Sequence, residues 1–374
     1  VRDTIISGSL IESAMTAGFL SYGANVKQLG VLPTPAVAYL TKKLKADASV
    51  VISASHNTFE FNGVKYFSNA GTKIPDEIEE EIEEVMDSGK LEELTACNDK
   101  IGISENAEDL VDEYVYFFRK NFEEIIEKYN RDDFKVVIDT ANGATYEVAE
   151  KVFSKLKINH KIINNTPNGI NINKDCGSTH LEMLQKYVVE NGYDLGIAYD
   201  GDGDRCLLVD EKGKVIDGDK ILAIVSNYMK AKGTLKKDTL VATVMSNLGL
   251  DIYSKENNLL EEMKKGGYNL GGEQSGHIIF LDYNPTGDGI LTSLMFISIM
   301  LEKAEKASEL EEIIKIYPQV LVGAKVSNDK KYDFDKDAVI RNTIEAVEKE
   351  FEGNGRVLIR ASGTEPLVRV MIEG

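Results

Sequence analysis

Val50 to Phe67 is VVISASHNTFEFNGVKYF, an apolar run that gives way to a polar loop and then a turn. Val50, Val51 and Ile52 form an apolar run short enough for one buried strand. The run breaks into Ser53-Ala54-Ser55-His56-Asn57, a small polar loop with little to give a core. Asn62-Gly63 then turns the chain, and Lys65 lies just beyond the turn. A hydroxyl (Ser55), an imidazole (His56) and an ammonium group (Lys65) therefore fall within eleven residues at the end of one strand. A serine so placed can carry a covalent group if its neighbours manage the charge. Taken alone, the stretch reads equally well as a solvated strand-to-turn loop.

Working outward, the same device recurs. KVVID (135–139) opens into Thr140-Ala141-Asn142-Gly143-Ala144, and residues 195–199 end in Asp200-Gly201-Asp202-Gly203-Asp204-Arg205. Residues 240–244 run into Met245-Ser246-Asn247, and 268–270 into Gly271-Gly272-Glu273-Gln274-Ser275-Gly276-His277. Helical patterns separate these strands. One follows Ser9, its cap, with Leu10, Ala14, Ala17 and Gly18 lining one face, and another follows Pro33-Thr34-Pro35 at 36–45. A third, at 75–86, is acidic and amphipathic with Ile78, Ile82 and Val85 inward. A long one at about 107–129, carrying Leu110, Tyr114, Phe117, Phe118 and Ile125, bridges into a second domain. A hairpin is expected around Glu211-Lys212-Gly213. Strands alternating with helices specify an α/β fold, and open parallel sheets bind ligands at the carboxyl ends of their strands. Past residue 318 the order becomes strand, helix, strand, loop, strand, a small α+β unit. Polar loops contributed by every domain imply one cleft between them.

The loops differ in chemistry. Asp200, Asp202 and Asp204 alternate with glycines, so three carboxylates can converge on one small hard cation. Oxygen-only ligation favours Mg²⁺ over zinc. The spacing also partly fits an EF-hand calcium loop, with Glu211 at its twelfth place, but Arg205 stands where that loop needs glycine. An acidic turn without metal is the third reading, and it must bear strong mutual repulsion. A cation beside a serine suits phosphoryl transfer, with Arg205 placed to contact the same phosphoryl group and Lys65 or His56 to move a proton. Arg360-Ala361-Ser362-Gly363-Thr364-Glu365-Pro366 offers an arginine, hydroxyls and backbone N–H groups as an anion nest, and Arg369 adds charge. The rival reading is a hairpin turn with a surface arginine. Glu273, Gln274, Ser275 and His277 put a carboxylate, an amide, a hydroxyl and an imidazole on one loop, a set suited to a polyhydroxylated ligand.

Composition bounds the rest. The 374 residues, 43% hydrophobic, are enough for two to four domains. A net charge of −19 argues against nonspecific nucleic-acid binding but leaves a local anion site open. Cys97, Cys176 and Cys206 are scattered and odd in number, which fits a reducing cytoplasm. The most apolar run, 289–300, is too short for a bilayer and reads as a buried helix, and no signal peptide is visible.

SASHN with a downstream NGVK, then DGDGDR, GGEQSGH and RASGTEP, in this order, resemble the four signature loops of the α-D-phosphohexomutases. LPTPAVAYLT, TANGAT, MSNLG and the GEQSGH form resemble most closely the bacterial phosphoglucosamine mutase branch of that family. The similarity runs through nearly the whole chain. It implies three related α/β domains and a C-terminal α+β domain around a central active-site cleft, here 1–106, 107–210, 211–317 and 318–374. It makes Ser55 the phosphoserine and a ligand, with Asp200, Asp202 and Asp204, of one Mg²⁺ per active site. Lys65, His56 and Arg205 then serve proton transfer and charge. Glu273, Ser275 and His277 meet the sugar, and Arg360, Ser362, Gly363, Thr364 and Arg369 grip the phosphate that does not react. The implied reaction interconverts glucosamine 6-phosphate and glucosamine 1-phosphate through glucosamine 1,6-bisphosphate, which is both intermediate and activator. The product feeds UDP-N-acetylglucosamine and cell-wall synthesis. Neither nucleic acid nor membrane is an expected partner, the location is cytoplasmic, and a homodimer is compatible. The alternatives are a sister mutase for glucose or mannose phosphates and a non-catalytic phosphosugar-binding relative.

The sequence also departs from the family pattern. No Gly-Thr-x-Gly-x-Arg-Gly segment precedes Val1, a Gly-Asp-Arg-Tyr-like stretch is missing between Asn258 and Leu259, and the tail past Gly374 is short. The chain opens on Val1 rather than Met, and Leu259 resumes mid-helix without a connecting strand, so these read as pieces left out; true absence would remove phosphate contacts and a strand of the third domain and would call activity into question. Ile5 stands for the second arginine of the RDTR pattern and Thr58 for the usual proline after SASHN.

Overall fold

The first residues lie inside a sheet. Val1 accepts a hydrogen bond from Ile52 N (2.9 Å), and Arg2 N donates to Gly30 O (3.1 Å). Arg2 thus bridges Val31 on one side and Ile52 on the other, both in parallel. The computed structural model describes residues 1–89, 95–129, 131–256, 266–327, 330–334, 336–352, 355–361 and 366–374. The Asn258/Leu259 junction falls outside them.

The first unit runs α1 (Gly8–Ser21), β1 (Val26–Gln28), α2 (Thr34–Leu44), β2 (Ala48–Ile52), β3 (Val64–Ser68), α3 (Asp76–Asp87) and β4 (Ser104–Asn106). β1 pairs in parallel with β4, and β2 pairs antiparallel with β3, which sets Val51 opposite Lys65. Two expected stripes are not buried here. Leu10, Ala14 and Ala17 share a face of α1 as expected, but that face is exposed, while Ile11, Met15 and Phe19 are half-buried. On α3, Ile78, Ile82 and Val85 form the expected stripe, yet none is buried, because no described element covers that face.

The second unit holds α4 (Val111–Tyr129), β5 (Lys135–Asp139), α5 (Val148–Lys155), β6 (Asn159–Ile163), α6 (Glu182–Asn191), β7 (Leu195–Tyr199), β8 (Cys206–Asp210) and β9 (Val215–Ile216). Its sheet has the order β6-β5-β7-β8-β9, parallel across the first three strands and antiparallel beyond. β7 is buried at every position, as an unbroken apolar strand covered on both faces must be. The strands therefore deliver the loops at 140–144 and 200–205 to one edge.

The third unit comprises α7 (Gly218–Ala231), β10 (Val241–Ala242), α8 (Leu248–Glu256), β11 (Leu270–Gly272), β12 (Ile278–Phe280), α9 (Gly289–Lys303) and α10 (Ala307–Leu310). α9 is apolar all round, and every residue from Gly289 to Leu301 is buried. Each large side chain fully buried there contributes about 1.5–3 kcal/mol of transfer free energy. Asp288 caps the helix, its Oδ1 accepting from Leu291 N (3.0 Å) and its Oδ2 from the Tyr114 hydroxyl of α4 (2.7 Å). Tyr114 and Phe118 pack edge to face with ring centroids 4.7 Å apart, so α4 and α9 share one core.

The fourth unit is β13 (Gln319–Lys325), α11 (Ala338–Glu350), β14 (Arg356–Ala361) and β15 (Leu367–Glu373), an antiparallel sheet in the order β13-β15-β14. The expected change of character past residue 318 is present.

Candidate active site

The serine loop, read first as sequence, meets the aspartate loop. Ser55 Oγ donates to Asp200 Oδ2 at 2.9 Å. Lys65, placed by the β2–β3 hairpin, donates to Asp202 Oδ2 at 2.7 Å and stands 3.9 Å from Asp204 Oδ2. Arg205 N donates to Asp200 Oδ1 at 3.2 Å, and its side chain lies 3.9 Å from Asp204. His277, on the sugar-type loop, approaches Asp204 Oδ2 at 3.4 Å, while its Nε2 accepts from Gly287 N. Ser275 Oγ donates to Glu273 Oε2 at 3.2 Å. Residues from three units converge on one acidic centre.

The three carboxylates each offer an oxygen within 4.8 Å of the others, and all three are buried. Asp202 Oδ1 and Asp204 Oδ1 have no hydrogen-bond partner. Buried, unpartnered anionic oxygens at this spacing fit a divalent cation, which converts their repulsion into attraction. Burial, then the charges of Asp204 and Asp202, pushes Asp200 well above the usual carboxylate range. Burial also opposes ionisation of Asp204, but the His277 hydrogen bond and the charges of His277, Lys65 and Arg205 hold it down to about 2. Burial weakens the charge of Lys65, and Asp202 and Asp204 more than restore it, raising its pKa. His56 goes the other way, lowered by burial and then by Arg205. The glycines are needed. A Cβ on Gly203, at φ 71°, would come 2.5 Å from Thr145 and 2.9 Å from Pro33.

The EF-hand reading fails. Glu211 turns away to accept from the backbone and hydroxyl of Ser308, and the aspartate loop joins two strands, β7 and β8.

Arg360 and Arg369 stand directly opposite each other in the β14–β15 register, both exposed. Ser362, Gly363 and Thr364 lie outside the described residues.

Sequence reasoning missed several supporting groups. Thr34 Oγ1 donates to Asp202 Oδ2 (2.6 Å) and Thr34 N to Asp202 O (2.9 Å), so the Pro-Thr-Pro turn holds the aspartate loop. Asp3 is buried and pushed up to about 6, chiefly by burial, and its Oδ1 accepts from Ile5 N at 2.9 Å. Asn173 reaches the serine loop from the second unit. Their signal was only small polar residues next to strand ends, which most turns share.

With this geometry in view, four family models match in order. Phosphoglucomutase/phosphomannomutase alpha/beta/alpha domain I covers residues 1–93, domain II 112–213, domain III 217–317 and the C-terminal domain 321–374. The chain belongs to the phosphoglucomutase/phosphomannomutase family. Among its relatives, the phosphoglucosamine mutase of Ruminiclostridium cellulolyticum is 50% identical over 384 aligned residues, covering 100% of this chain and 84% of that protein. Among solved structures, a phosphoglucomutase/phosphomannomutase family protein from Burkholderia thailandensis superposes with a TM-score of 0.81 at 21% identity, covering 100% of this chain and 84% of that one. The Aspergillus fumigatus N-acetylphosphoglucosamine mutase, in complex with GlcNAc-6P and magnesium, gives a TM-score of 0.62 at 18% identity, covering 98% and 96% of the two chains. The expected four-part α/β architecture is therefore correct.

Proposed function

We propose that this chain is an amino-sugar phosphate mutase, interconverting glucosamine 6-phosphate and glucosamine 1-phosphate through a phosphorylated Ser55. One observation carries the reading: a serine hydroxyl is seated 2.9 Å from a buried carboxylate of the aspartate triad, with Lys65 on the next one. The 50% identity to a named phosphoglucosamine mutase supports the choice of sugar. The division of the chain at about residues 106, 210 and 317 belongs to the same reading, as does residence in the cytoplasm, which three free cysteines suit. No described helix is long and apolar enough to cross a membrane.

In the forward direction the phosphoryl group leaves Ser55 Oγ as a new P–O bond forms to the sugar O1. His56, kept neutral near pH 7 by its lowered pKa, takes the proton of that hydroxyl. Lys65, held charged by the aspartates, offsets negative charge on the moving group, and Arg205, beside Asp204, does the same. Asp200, Asp202, Asp204 and Ser55 would hold one Mg²⁺, whose chemistry is to neutralise phosphoryl oxygens. Glucosamine 1,6-bisphosphate then turns end for end, and its 6-phosphoryl group returns to Ser55 Oγ as the O6–P bond breaks and O6 takes back the proton held by His56. Glu273 and Ser275 supply acceptors and a donor for sugar hydroxyls, while His277, with both ring nitrogens engaged by Asp204 and Gly287 N, ties the sugar-type loop to the aspartate loop. Arg360 and Arg369, with the 362–364 segment, hold the phosphate that is not reacting.

Intact mass before and after incubation with glucosamine 1,6-bisphosphate, followed by peptide mapping, tests this. One phosphoryl group on Ser55, absent in Ser55→Ala, is expected. An unlabelled wild-type chain, or full turnover by Ser55→Ala, would overturn the proposal. Relative turnover on glucosamine 1-phosphate and glucose 1-phosphate decides between this sugar and a sister mutase.

A further inference from the structure

The Asn- and Gly-dense segment 164–178 takes no part in the chemistry above, yet it reaches the reacting serine. Ser55 sits at φ 56°, a left-handed backbone that a side chain adopts only when its surroundings enforce it. Its own N–H donates to Ser53 Oγ at 3.0 Å. Its carbonyl accepts from Asn173 Nδ2 at 2.9 Å, and the same nitrogen donates to Asn57 O at 2.8 Å. One side-chain amide from the second unit thus clamps both ends of the serine turn in the first.

That amide is itself firmly held. Asn173 is 2% exposed, has φ 56°, and donates its N–H to Ala141 O at 2.9 Å. Asp139, at the end of β5, accepts from Ala141 N (2.8 Å) and Gly177 N (2.9 Å), fixing the two loops that carry the clamp. The metal-type loop closes the arrangement, because a Cβ on Gly201 would lie 2.5 Å from Asn173 Nδ2 and 2.5 Å from Ser55 O. The amide therefore touches the serine loop and lies against the aspartate loop. Both acceptors are carbonyls, so only an NH₂ group satisfies them, and an aspartate there would meet them with negative oxygens.

We propose that Asn173 is a positioning residue for phosphoryl transfer: by bridging the Ser55 and Asn57 carbonyls it sets Ser55 Oγ in line with the incoming or departing phosphoryl group. Asn173 touches no substrate in this role. The proposal rests on the phosphoserine reading above.

Asn173→Gly and Asn173→Asp test it, since both residues accept the left-handed backbone while removing the donor. Steady-state kinetics, single-turnover labelling of Ser55 by glucosamine 1,6-bisphosphate and thermal melts are measured beside the wild type. The expected result is a kcat lower by about 10²-fold, a KM near that of the wild type, and labelling slowed by the same factor, since a misplacement of about 1 Å costs that much. Variants that label and turn over at the wild-type rate would overturn the proposal while leaving the phosphoserine reading intact. Loss of a cooperative melt in both variants would also overturn it, by making Asn173 a residue of folding. A wild type that takes no label would overturn both.

Discussion

Ser55 Oγ and Asp200 Oδ2 lie 2.9 Å apart although 145 positions separate them in the chain. The hydrogen bond therefore reports the docking of the first unit on the second. It also joins the group expected to carry phosphate to the group expected to carry the cation. A buried carboxylate with two like-charged neighbours is poorly placed without a counter-ion, so under the proposed function the site's stability and its chemistry would depend on the same cation.

Asp200→Asn separates these effects. Without divalent cation the variant should melt above the wild type, because one of three mutually repelling carboxylates has gone. With saturating Mg²⁺ the order should reverse, since binding at about 100 times Kd stabilises the wild type by about 2.7 kcal/mol and the variant by less. Calorimetry with and without EDTA measures both. Equal shifts in the two proteins would exclude the triad as the cation site.

Lys65→Met should lower kcat by about 10²–10⁴-fold, the range for a group that manages charge or protons in the transition state. The alkyl chain is kept, so packing beside β2 changes little. Stopped assays over a range of sugar phosphate would check it. A change confined to KM would place Lys65 in ground-state binding instead.

Much of this was legible in advance, and the pattern of the rest is physical. Strand positions such as KVVID and the polar loops that follow them could be read because an unbroken apolar run followed by small polar residues has few other uses. Leu10 and the Ile78, Ile82, Val85 stripe were misplaced because periodicity says which residues share a face, not what covers it. Thr34 and Asn173 were missed for a different reason. Each acts on a loop more than a hundred residues away, and such long-range pairing leaves no mark in local composition. The EF-hand rival, already weakened by Arg205 at its glycine position, is excluded by a long-range contact of the same kind, since Glu211 is claimed by Ser308.

Tyr114→Phe should destabilise the protein by about 1.5–3 kcal/mol, the usual worth of a hydrogen bond to a charged group. The hydroxyl donates at 2.7 Å to Asp288, a carboxylate buried at the start of α9 that also accepts from Asn284. Denaturant unfolding should show a lower midpoint with an unchanged slope. Tyr114→Phe with Asp288→Asn should cost less than the sum of the two single changes, because they remove one shared interaction.

Asp219 yields the pH prediction. Its Oδ2 accepts from Asn247 N at 2.6 Å, while its Oδ1 is buried without a partner. Burial, with smaller contributions from Asp217 and Glu373, pushes its pKa up to about 7 from an ordinary 3.8. Between those values the folded chain keeps a proton that the unfolded chain releases, so folding loses stability as pH rises through the window and the loss is complete above it. Asp219→Asn still accepts from Asn247 N but no longer titrates. The variant should match the wild type near pH 4, gain on it steadily as pH rises, and melt clearly higher at pH 8. This site joins the third and fourth units, for Glu373 accepts from Leu248 N (2.9 Å) and Arg356 Nε (2.9 Å) beside it. A constant offset between the two melting curves at pH 4 and pH 8 would mean that Asp219 ionises as freely folded as unfolded.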